Sequence, residues 1–242
     1  IKLLYPRFAK SAEFAARFLR EAQSVNVIKH PGLVQVFDFG QRPGTGELYL
    51  VMEHLEGITL RKFLSQRGAP TTEEEALTYT RALADALAAA HDAGIIHRDL
   101  NPENVMLTPD PETAGGQRVK ILDFGIAKVP VAPDPIGRSG DPETLAGVLL
   151  GTPVYMAPEQ HGNAGDVDGS ADVFSLGAIL YELLAGMRPF VRSSTEVLLK
   201  PPPAIRGSRP DISNSTALLL ERMLSPAPSQ RPTMRGVVEL ID

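Results

Sequence analysis

Apolar residues recur with two different periods in the first quarter of the chain. Residues 11–25 carry them at helical spacing, which predicts a helix there. Leu33 to Phe39 and Glu47 to Glu53 are rich in residues that favour strands, and residues 41–46 between them contain the proline and glycines of a turn. The start of the chain is therefore predicted to combine one helix with a strand–turn–strand unit.

The later part of the chain has a mostly helical pattern. Thr72 followed by Glu75 forms a capping box, which predicts the start of an Ala- and Leu-rich helix that ends at Gly94. A second apolar helix is predicted from about Asp172 to Ala185, with Gly186 as its stop. A few strands followed mostly by helices indicate the α+β fold class.

Composition narrows the function classes. The chain of 242 residues is long enough for one sizeable core or for two lobes that share a cleft. Its net charge of −5 argues against a general nucleic-acid or anionic-membrane surface, and no apolar run reaches the roughly 18–20 residues of a membrane span. The absence of cysteine excludes disulfides and thiolate metal sites. We expect no nucleic-acid partner and no membrane contact from this segment.

Two short segments carry the strongest chemical signal. His97 to Asn104 reads H-R-D-L-N-P-E-N, which fits the pattern H-R-D-L-x-x-x-N, and Asp123 opens the tripeptide D-F-G. A loop carboxylate such as Asp99 can accept the proton of a hydroxyl, while an amide and a carboxylate are oxygen ligands that suit Mg²⁺. Each residue alone could be an ordinary loop residue. Together, at this spacing, they predict a phosphoryl-transfer site.

With these motifs the chain resembles the catalytic domain of bacterial Hanks-type (eukaryotic-like) serine/threonine protein kinases. The resemblance implies a two-lobed α+β fold, with a small β-rich N-lobe at residues 1–56 and a larger helical C-lobe at residues 57–242. It also implies transfer of the ATP γ-phosphate to Ser/Thr hydroxyls of proteins, with autophosphorylation, and Mg²⁺ or Mn²⁺ as the metal. Asp99 would be the catalytic base, and Asn104 and Asp123 would hold the metal.

The start of the chain suggests an ion pair for the phosphates. Glu21 lies in the apolar stripe of the predicted helix with Phe14 and Phe18, and a carboxylate there is costly unless a cation meets it. Lys2 resembles the lysine that ends the V-A-I-K strand of the family, and the resemblance implies that Glu21 holds Lys2 against the α- and β-phosphates. The alternative is a solvated Glu21 paired with Arg17 one turn earlier.

The resemblance also implies a site for adenine. Met52 would be the gatekeeper at the start of the hinge between the lobes, and the backbone of Glu53 and of Leu55 would meet the adenine. Met106 would lie beneath the purine. The alternative for each methionine is an ordinary core position, since methionine fills apolar cores readily.

A third segment resembles the end of a kinase activation loop. Residues 151–159 read G-T-P-V-Y-M-A-P-E and end in the family's A-P-E. The resemblance implies that Thr152 contacts the catalytic loop and that Glu159 pairs with Arg231. Asp172 would brace the catalytic loop, or it could simply favour the start of its helix through the helix dipole.

Arg98 and Thr144 point to regulation. Arg98 directly precedes Asp99, an arrangement that in this family accompanies control by activation-loop phosphorylation. Thr144 lies eight residues before Thr152, where relatives often carry an autophosphorylated threonine. A phosphothreonine near an arginine gains charge-assisted hydrogen bonds and can order a loop. The alternative is an unmodified hydroxyl.

The sequence departs from the family in two places that matter for chemistry. The Gly-rich loop would precede Lys2, so we expect a fragment that binds nucleotide weakly, because the loop's N–H groups that hold the phosphates are missing. Asn101 stands where the family usually has a lysine. It would donate a hydrogen bond to the γ-phosphate without adding a positive charge.

Two other functions are open at this stage. A catalytically silent pseudokinase or scaffold domain would explain Asn101 and the lack of a Gly-rich loop. A small-molecule kinase would share the catalytic residues, but residues 151–159 and Arg231 argue against it. We expect protein substrates, the protein itself among them, and a cytoplasmic domain whose parent could be anchored to a membrane elsewhere.

Overall fold

A computed structural model describes most of the chain, and its account covers the following residues: 1–3, 15–16, 18–19, 22–23, 26, 28–113, 115–123, 153–161, 167–190 and 201–242. Two small sheets lie in the first half, and most helices lie in the second half. The predicted α+β class is confirmed. The predicted division at residue 56 stays a prediction.

The first sheet is antiparallel and has the order β1-β3-β2. It contains β1 (Lys2–Leu3), β2 (Val36–Gln41) and β3 (Leu48–Met52), and Lys2 pairs with Leu50. The strand predicted from Leu33 starts three residues later because its first residues bind elsewhere. Leu33 forms a parallel bridge with Ile121, and the N–H of Val34 donates to the carbonyl of Ile121 at 3.0 Å.

The helix predicted over residues 11–25 is seen in the described residues of that stretch, which are helical. Phe18 is almost fully buried, and Ala15 and Ala22 are buried on the same side. Phe14 and Glu21 lie outside the described residues. The apolar stripe is therefore confirmed at Phe18, while the environment of Glu21 stays a prediction.

The second sheet pairs a short strand after β3 with the two strands that lie between Asn104 and Asp123 in the chain. It contains β4 (Ile58–Thr59), β5 (Val105–Pro109) and β6 (Gln117–Ile121) in that order. Gly57, just before β4, has a φ of 140°, and a Cβ atom there would lie 2.1 Å from the carbonyl oxygen of Leu107. Only glycine permits this close crossing of the chain over β5.

Six helices that follow β4 are described from end to end and pack around one apolar core. They are α1 (Leu60–Arg67), α2 (Glu73–Asp92), α3 (Ser170–Ala185), α4 (Ile205–Ser208), α5 (Asn214–Met223) and α6 (Met234–Ile241). Thr59 and Thr72 cap α1 and α2 by accepting backbone N–H bonds, as their sequences predict. Only half of the predicted capping box forms, because the carboxylate of Glu75 pairs with Arg67 instead.

Helix α3 lies at the centre of this lobe. All residues from Ala171 to Leu184 are buried, and Gly186 ends the helix in the left-handed conformation with a φ of 70°. A helix that is buried on every side can carry a carboxylate only if that carboxylate is bonded. No helix in the described part of the chain combines the length and apolarity needed to cross a bilayer.

Candidate active site

His97 connects the catalytic loop to the strand end that precedes Asp123. It is fully buried, its Nδ1 accepts the N–H of Asp99 at 3.2 Å, and its Nε2 lies 2.8 Å from the carbonyl oxygen of Leu122. An Nδ1 that accepts leaves Nε2 to carry the hydrogen and donate to Leu122. Both ring nitrogens are thus occupied, and His97 has a structural role next to the site.

The loop that carries Asp99 is closed by hydrogen bonds from two neighbouring asparagines. The side-chain amides of Asn101 and Asn104 both donate to the carbonyl oxygen of Asp99 at 2.9 Å. The same amides lie 3.5 and 3.4 Å from the Asp99 carboxylate oxygens. These contacts hold the Asp99 carboxylate in one direction. Asp99 is only partly buried, so a substrate can still reach it.

Asn101 uses its amide differently from what the resemblance implied. Its Oδ1 accepts the N–H of Glu103 at 2.9 Å and so caps the short 3₁₀ helix Pro102–Asn104, while its Nδ2 bonds to Asp99. Both ends of this buried amide are therefore engaged within the loop. A contact between Asn101 and a γ-phosphate stays a prediction.

Asn104 and Asp123 are brought together by backbone bonding. The N–H of Leu122 donates to the carbonyl oxygen of Asn104 at 2.8 Å, and Asp123 follows with a φ of 41°. Because the Asn104 amide nitrogen donates to Asp99, its Oδ1 remains as an acceptor for a cation. One amide oxygen beside one carboxylate is a donor set that fits Mg²⁺ with most of its shell left to phosphate and water.

Lys2 forms an ion pair with Asp123, 121 positions away in the chain. Its Nζ lies 2.6 Å from Asp123 Oδ2, and both side chains are partly exposed. Lys2 is therefore placed beside one of the predicted metal ligands, and its binding of the phosphates stays a prediction. The predicted pairing of Lys2 with Glu21 falls outside the described residues.

Asp172 braces the catalytic loop from helix α3. Its carboxylate accepts the N–H groups of His97 and Arg98, each at 2.8 Å. It also lies 2.8 Å from Nε2 of His91, at the end of α2. These bonds explain how a buried carboxylate is tolerated in α3, and they agree with the bracing role predicted for Asp172.

The ion pair predicted between Glu159 and Arg231 is present and bidentate. Arg231 Nη1 lies 2.6 Å from Glu159 Oε1, and Nη2 lies 3.0 Å from Oε2. The Arg231 side chain is completely buried and donates further bonds to the carbonyls of Ser225 and Ser170. This pair fixes the segment that includes the 3₁₀ helices Pro153–Tyr155 and Pro158–His161.

Of the residues predicted to meet adenine, Met52, Glu53 and Leu55 lie at or just after the end of β3, and Met106 lies in β5. Met52 ends β3, and the carboxylate of Glu53 is engaged by Lys120 Nζ at 2.6 Å. In the part of the chain that the structure describes, no hydrogen bond uses the carbonyl oxygen of Glu53 or the N–H of Leu55. Met106 is half-buried in β5. A contact of these backbone groups with adenine stays a prediction.

A buried polar cluster that no sequence motif predicted joins α1 to α3. Arg61 of α1 donates to Glu182 of α3 at 2.7 Å and also to the hydroxyl of Tyr155, which itself donates to Glu182. Burial, together with the neighbouring Glu182 carboxylate, raises the pKa of Tyr155 well above its ordinary value. The cluster joins the helix after the hinge to the segment after the activation loop.

Four further residues singled out in the sequence lie outside the described residues. They are Phe124 and Gly125 of the D-F-G tripeptide, Thr144 and Thr152. Arg98 is described and its side chain is exposed. The regulatory roles of Arg98, Thr144 and Thr152 therefore stay predictions.

Comparison with known proteins gives a consistent result. Residues 1–240 match the protein kinase domain family. The chain is 38% identical to serine/threonine-protein kinase pkn3 of Myxococcus xanthus, over 96% of this chain and 42% of that protein. It is 37% identical to serine/threonine-protein kinase PknB of Mycobacterium tuberculosis, over 80% of this chain and 29% of that protein. The chain thus spans less than half the length of these relatives.

A solved structure gives the same result for the fold. The crystal structure of the Mycobacterium tuberculosis PknI kinase domain superposes with a TM-score of 0.74 at 32% sequence identity. The match covers 99% of this chain and 83% of that one. The two small sheets and the helical lobe are therefore arranged as in a protein kinase.

Proposed function

The chain belongs to the protein kinase domain family, and on that premise we propose that the protein transfers the γ-phosphate of ATP to serine and threonine hydroxyls of proteins, its own included. The observation that carries the proposal is the joining of three segments. Asp99, Asn104 and Asp123 are linked through the bonds of Asn104 to Asp99 and of Leu122 to Asn104. The comparisons give no support to the pseudokinase alternative.

In this mechanism Asp99 accepts the proton of the attacking hydroxyl. The transfer needs little covalent chemistry from the protein, so its main contribution is to position the reacting groups. Asn101 and Asn104 supply that positioning by holding the backbone of Asp99. The Asp172 carboxylate accepts the N–H of Arg98, and Nδ1 of His97 accepts the N–H of Asp99, so both peptide groups just before Asp99 are held.

Lys2 and the hinge would position ATP. Lys2 would bind the α- and β-phosphates, and the backbone of Glu53 and Leu55 would bind the adenine between Met52 and Met106. Mg²⁺ held by Asn104 and Asp123 would neutralise charge on the phosphates. Mn²⁺ accepts the same oxygen ligands and is a second candidate. Because ATP is the phosphate donor, we place the reaction in the cytoplasm.

The segment fixed by Glu159 and Arg231 supports a protein rather than a small molecule as the acceptor. It is bonded to the residue before Asp99, because Gln160 donates to the carbonyl oxygen of Arg98, and to α1 and α3 through the bonds of Tyr155 with Arg61 and Glu182. For regulation, we propose that Thr144 is phosphorylated and that Arg98 binds its phosphate. For specificity, we propose that Thr152 contacts the catalytic loop.

Transfer of label from radiolabelled ATP tests the proposed function. The wild-type protein and the Asp99→Asn variant are incubated with MgATP and a generic basic protein. We expect Asp99→Asn to be at least about 10²-fold slower, because a positioned general base contributes about 10²–10⁴-fold. The matched control is Asp211→Asn, which changes an exposed aspartate that pairs with Arg209. Equal rates for wild type and Asp99→Asn would refute the proposal.

A further inference from the structure

Arg98 has a backbone conformation that side-chain-bearing residues avoid. Its φ is 63°, in the left-handed region, and it directly precedes Asp99. Such a conformation persists only where surrounding bonds hold it. The Asp172 carboxylate accepts the N–H of Arg98 at 2.8 Å. To hold this conformation, the carbonyl group of Arg98 needs a partner as well.

Gln160 provides that partner. Its Nε2 donates to the carbonyl oxygen of Arg98 at 2.8 Å, and its Oε1 accepts the N–H of Ala157 at 2.9 Å. Each end of the side-chain amide meets a group of the opposite kind, so the amide has one consistent orientation. The two residues are 62 positions apart in the chain.

The bond acts on the peptide group that precedes the proposed base. The carbonyl of Arg98 and the N–H of Asp99 belong to one planar peptide group. Gln160 binds its oxygen, and Nδ1 of His97 accepts its N–H at 3.2 Å. Rotation of this peptide, which would redirect the Asp99 side chain, would break both bonds.

Gln160 is itself part of a fixed segment. Its backbone N–H donates to the carbonyl of Ala157 at 3.0 Å within the 3₁₀ helix Pro158–His161. Its neighbour Glu159 is bound by the buried Arg231, and Ser175 of α3 donates to the carbonyl of Tyr155 at 2.8 Å. The position of this segment is therefore transmitted to the Arg98 peptide.

We propose that Gln160 is a positioning residue for phosphoryl transfer, which links the segment after the activation loop to the orientation of Asp99. The inference rests on the proposed function. Gln160 acts through the Arg98 peptide and touches no reacting group. A change in the segment's position then alters the rate of the chemical step, beyond any effect on substrate docking.

The test compares Gln160→Glu and Gln160→Met with wild type in the full protein. Glutamate keeps the acceptor for Ala157 but replaces the donor with an oxygen that opposes the Arg98 carbonyl. Methionine has a similar length and no donor. Because a misplacement of about 1 Å can cost about 10²-fold, we expect kcat to fall about 10- to 100-fold, with KM for ATP within about twofold of wild type. Glutamate should have the larger effect.

Gln41→Glu is the matched control. The Gln41 amide also donates to a backbone carbonyl, that of Gly46 at 2.9 Å, in the exposed hairpin between β2 and β3. The same chemical change there should leave kcat unchanged. A fall in kcat of similar size for Gln41→Glu would overturn the inference.

Hydrogen exchange of the peptide that contains residues 97–100 is the second measurement. We expect faster exchange in Gln160→Glu than in wild type, with an unchanged melting temperature. Unchanged kcat in an active enzyme, a change in the KM for protein substrate alone, or unchanged exchange would each refute the role of Gln160. If the wild type transfers no phosphate, the proposed function fails, and the exchange arm still decides whether Gln160 holds the loop.

Discussion

The buried guanidinium of Arg231 offers the sharpest test of how the helical lobe is held together. Its side chain has no exposed surface, and its ring of donors meets Glu159 at 2.6 and 3.0 Å and the carbonyls of Ser225 and Ser170 at 2.8 and 3.0 Å. The guanidinium carbon also lies 5.0 Å from the ring centre of Phe174. Replacement of Arg231 by methionine keeps much of the stem and removes every donor.

The magnitude follows from what this replacement leaves behind. Removing one partner of a buried ion pair costs about 3–5 kcal/mol, because the other charge stays buried without compensation. Glu159 is still about one-fifth exposed, so water can reach part of its carboxylate and the lower half of that range applies. A loss of about 3–4 kcal/mol is a large share of the roughly 5–15 kcal/mol that stabilises a typical domain.

Urea denaturation followed by circular dichroism measures the effect. We expect Arg231→Met to lower the free energy of unfolding with an unchanged m-value, since the change lies in the folded state. Arg235→Met is the control, because Arg235 forms an ion pair with Asp92 in which both side chains are mostly exposed, and such pairs contribute little. If the two variants lose equal stability, the Arg231 pair does not stabilise the lobe as argued.

Three further predictions concern single positions. Burial and Glu182 raise the pKa of Tyr155 in the folded state, so the stability that its protonated hydroxyl contributes is complete below about pH 10 and is lost as the pH rises further. Above that pH, the unfolding free energy should therefore fall less steeply for Tyr155→Phe than for wild type. Gly57→Ala places a Cβ atom 2.1 Å from a backbone oxygen of β5 and should cost at least about 2 kcal/mol in thermal or urea unfolding, whereas Gly44→Ala, at a φ of 86° in open space, should cost less. Asn101→Lys keeps a nitrogen donor for the Asp99 carbonyl and adds a positive charge for the γ-phosphate, so it should raise kcat, by less than the roughly 10²–10³-fold value of a full donor; it should lower stability by about 1 kcal/mol because lysine has no oxygen to cap the helix that follows. Steady-state kinetics with a melting curve checks this pair of effects, and a faster rate without loss of stability, or no gain in rate, would contradict it.

Features of the fold that depend on neighbouring residues could be predicted from the sequence. The caps at Thr59 and Thr72 and the stop at Gly186 follow from chemistry within one helical turn. The start of β2 could not be predicted, because Leu33 and Val34 bind Ile121 in the other sheet. That preference depends on the packing of distant segments, which periodicity does not encode.

The candidate site divides in the same way. Asp99, Asn104 and Asp123 stand in motifs whose spacing has a chemical meaning, so the sequence was sufficient to select them. Gln160 and Arg61 stand in no motif of that kind, and their partners lie 62 and 121 positions away. Their roles appear only when the fold brings an amide or a guanidinium against a backbone or carboxylate oxygen.

The ion pair between Lys2 and Asp123 has a consequence for nucleotide affinity. A nucleotide whose phosphates bind Lys2 and whose cation binds Asp123 has to separate two charges that now lie 2.6 Å apart. Binding would therefore break the ion pair between Lys2 and Asp123 and form two contacts with the nucleotide and its cation. The net free energy of binding is then smaller than the sum of the two new contacts. In the proposed site, a triphosphate without its divalent cation would replace only the Lys2 side of this ion pair, so we expect it to bind less tightly than the metal-complexed triphosphate.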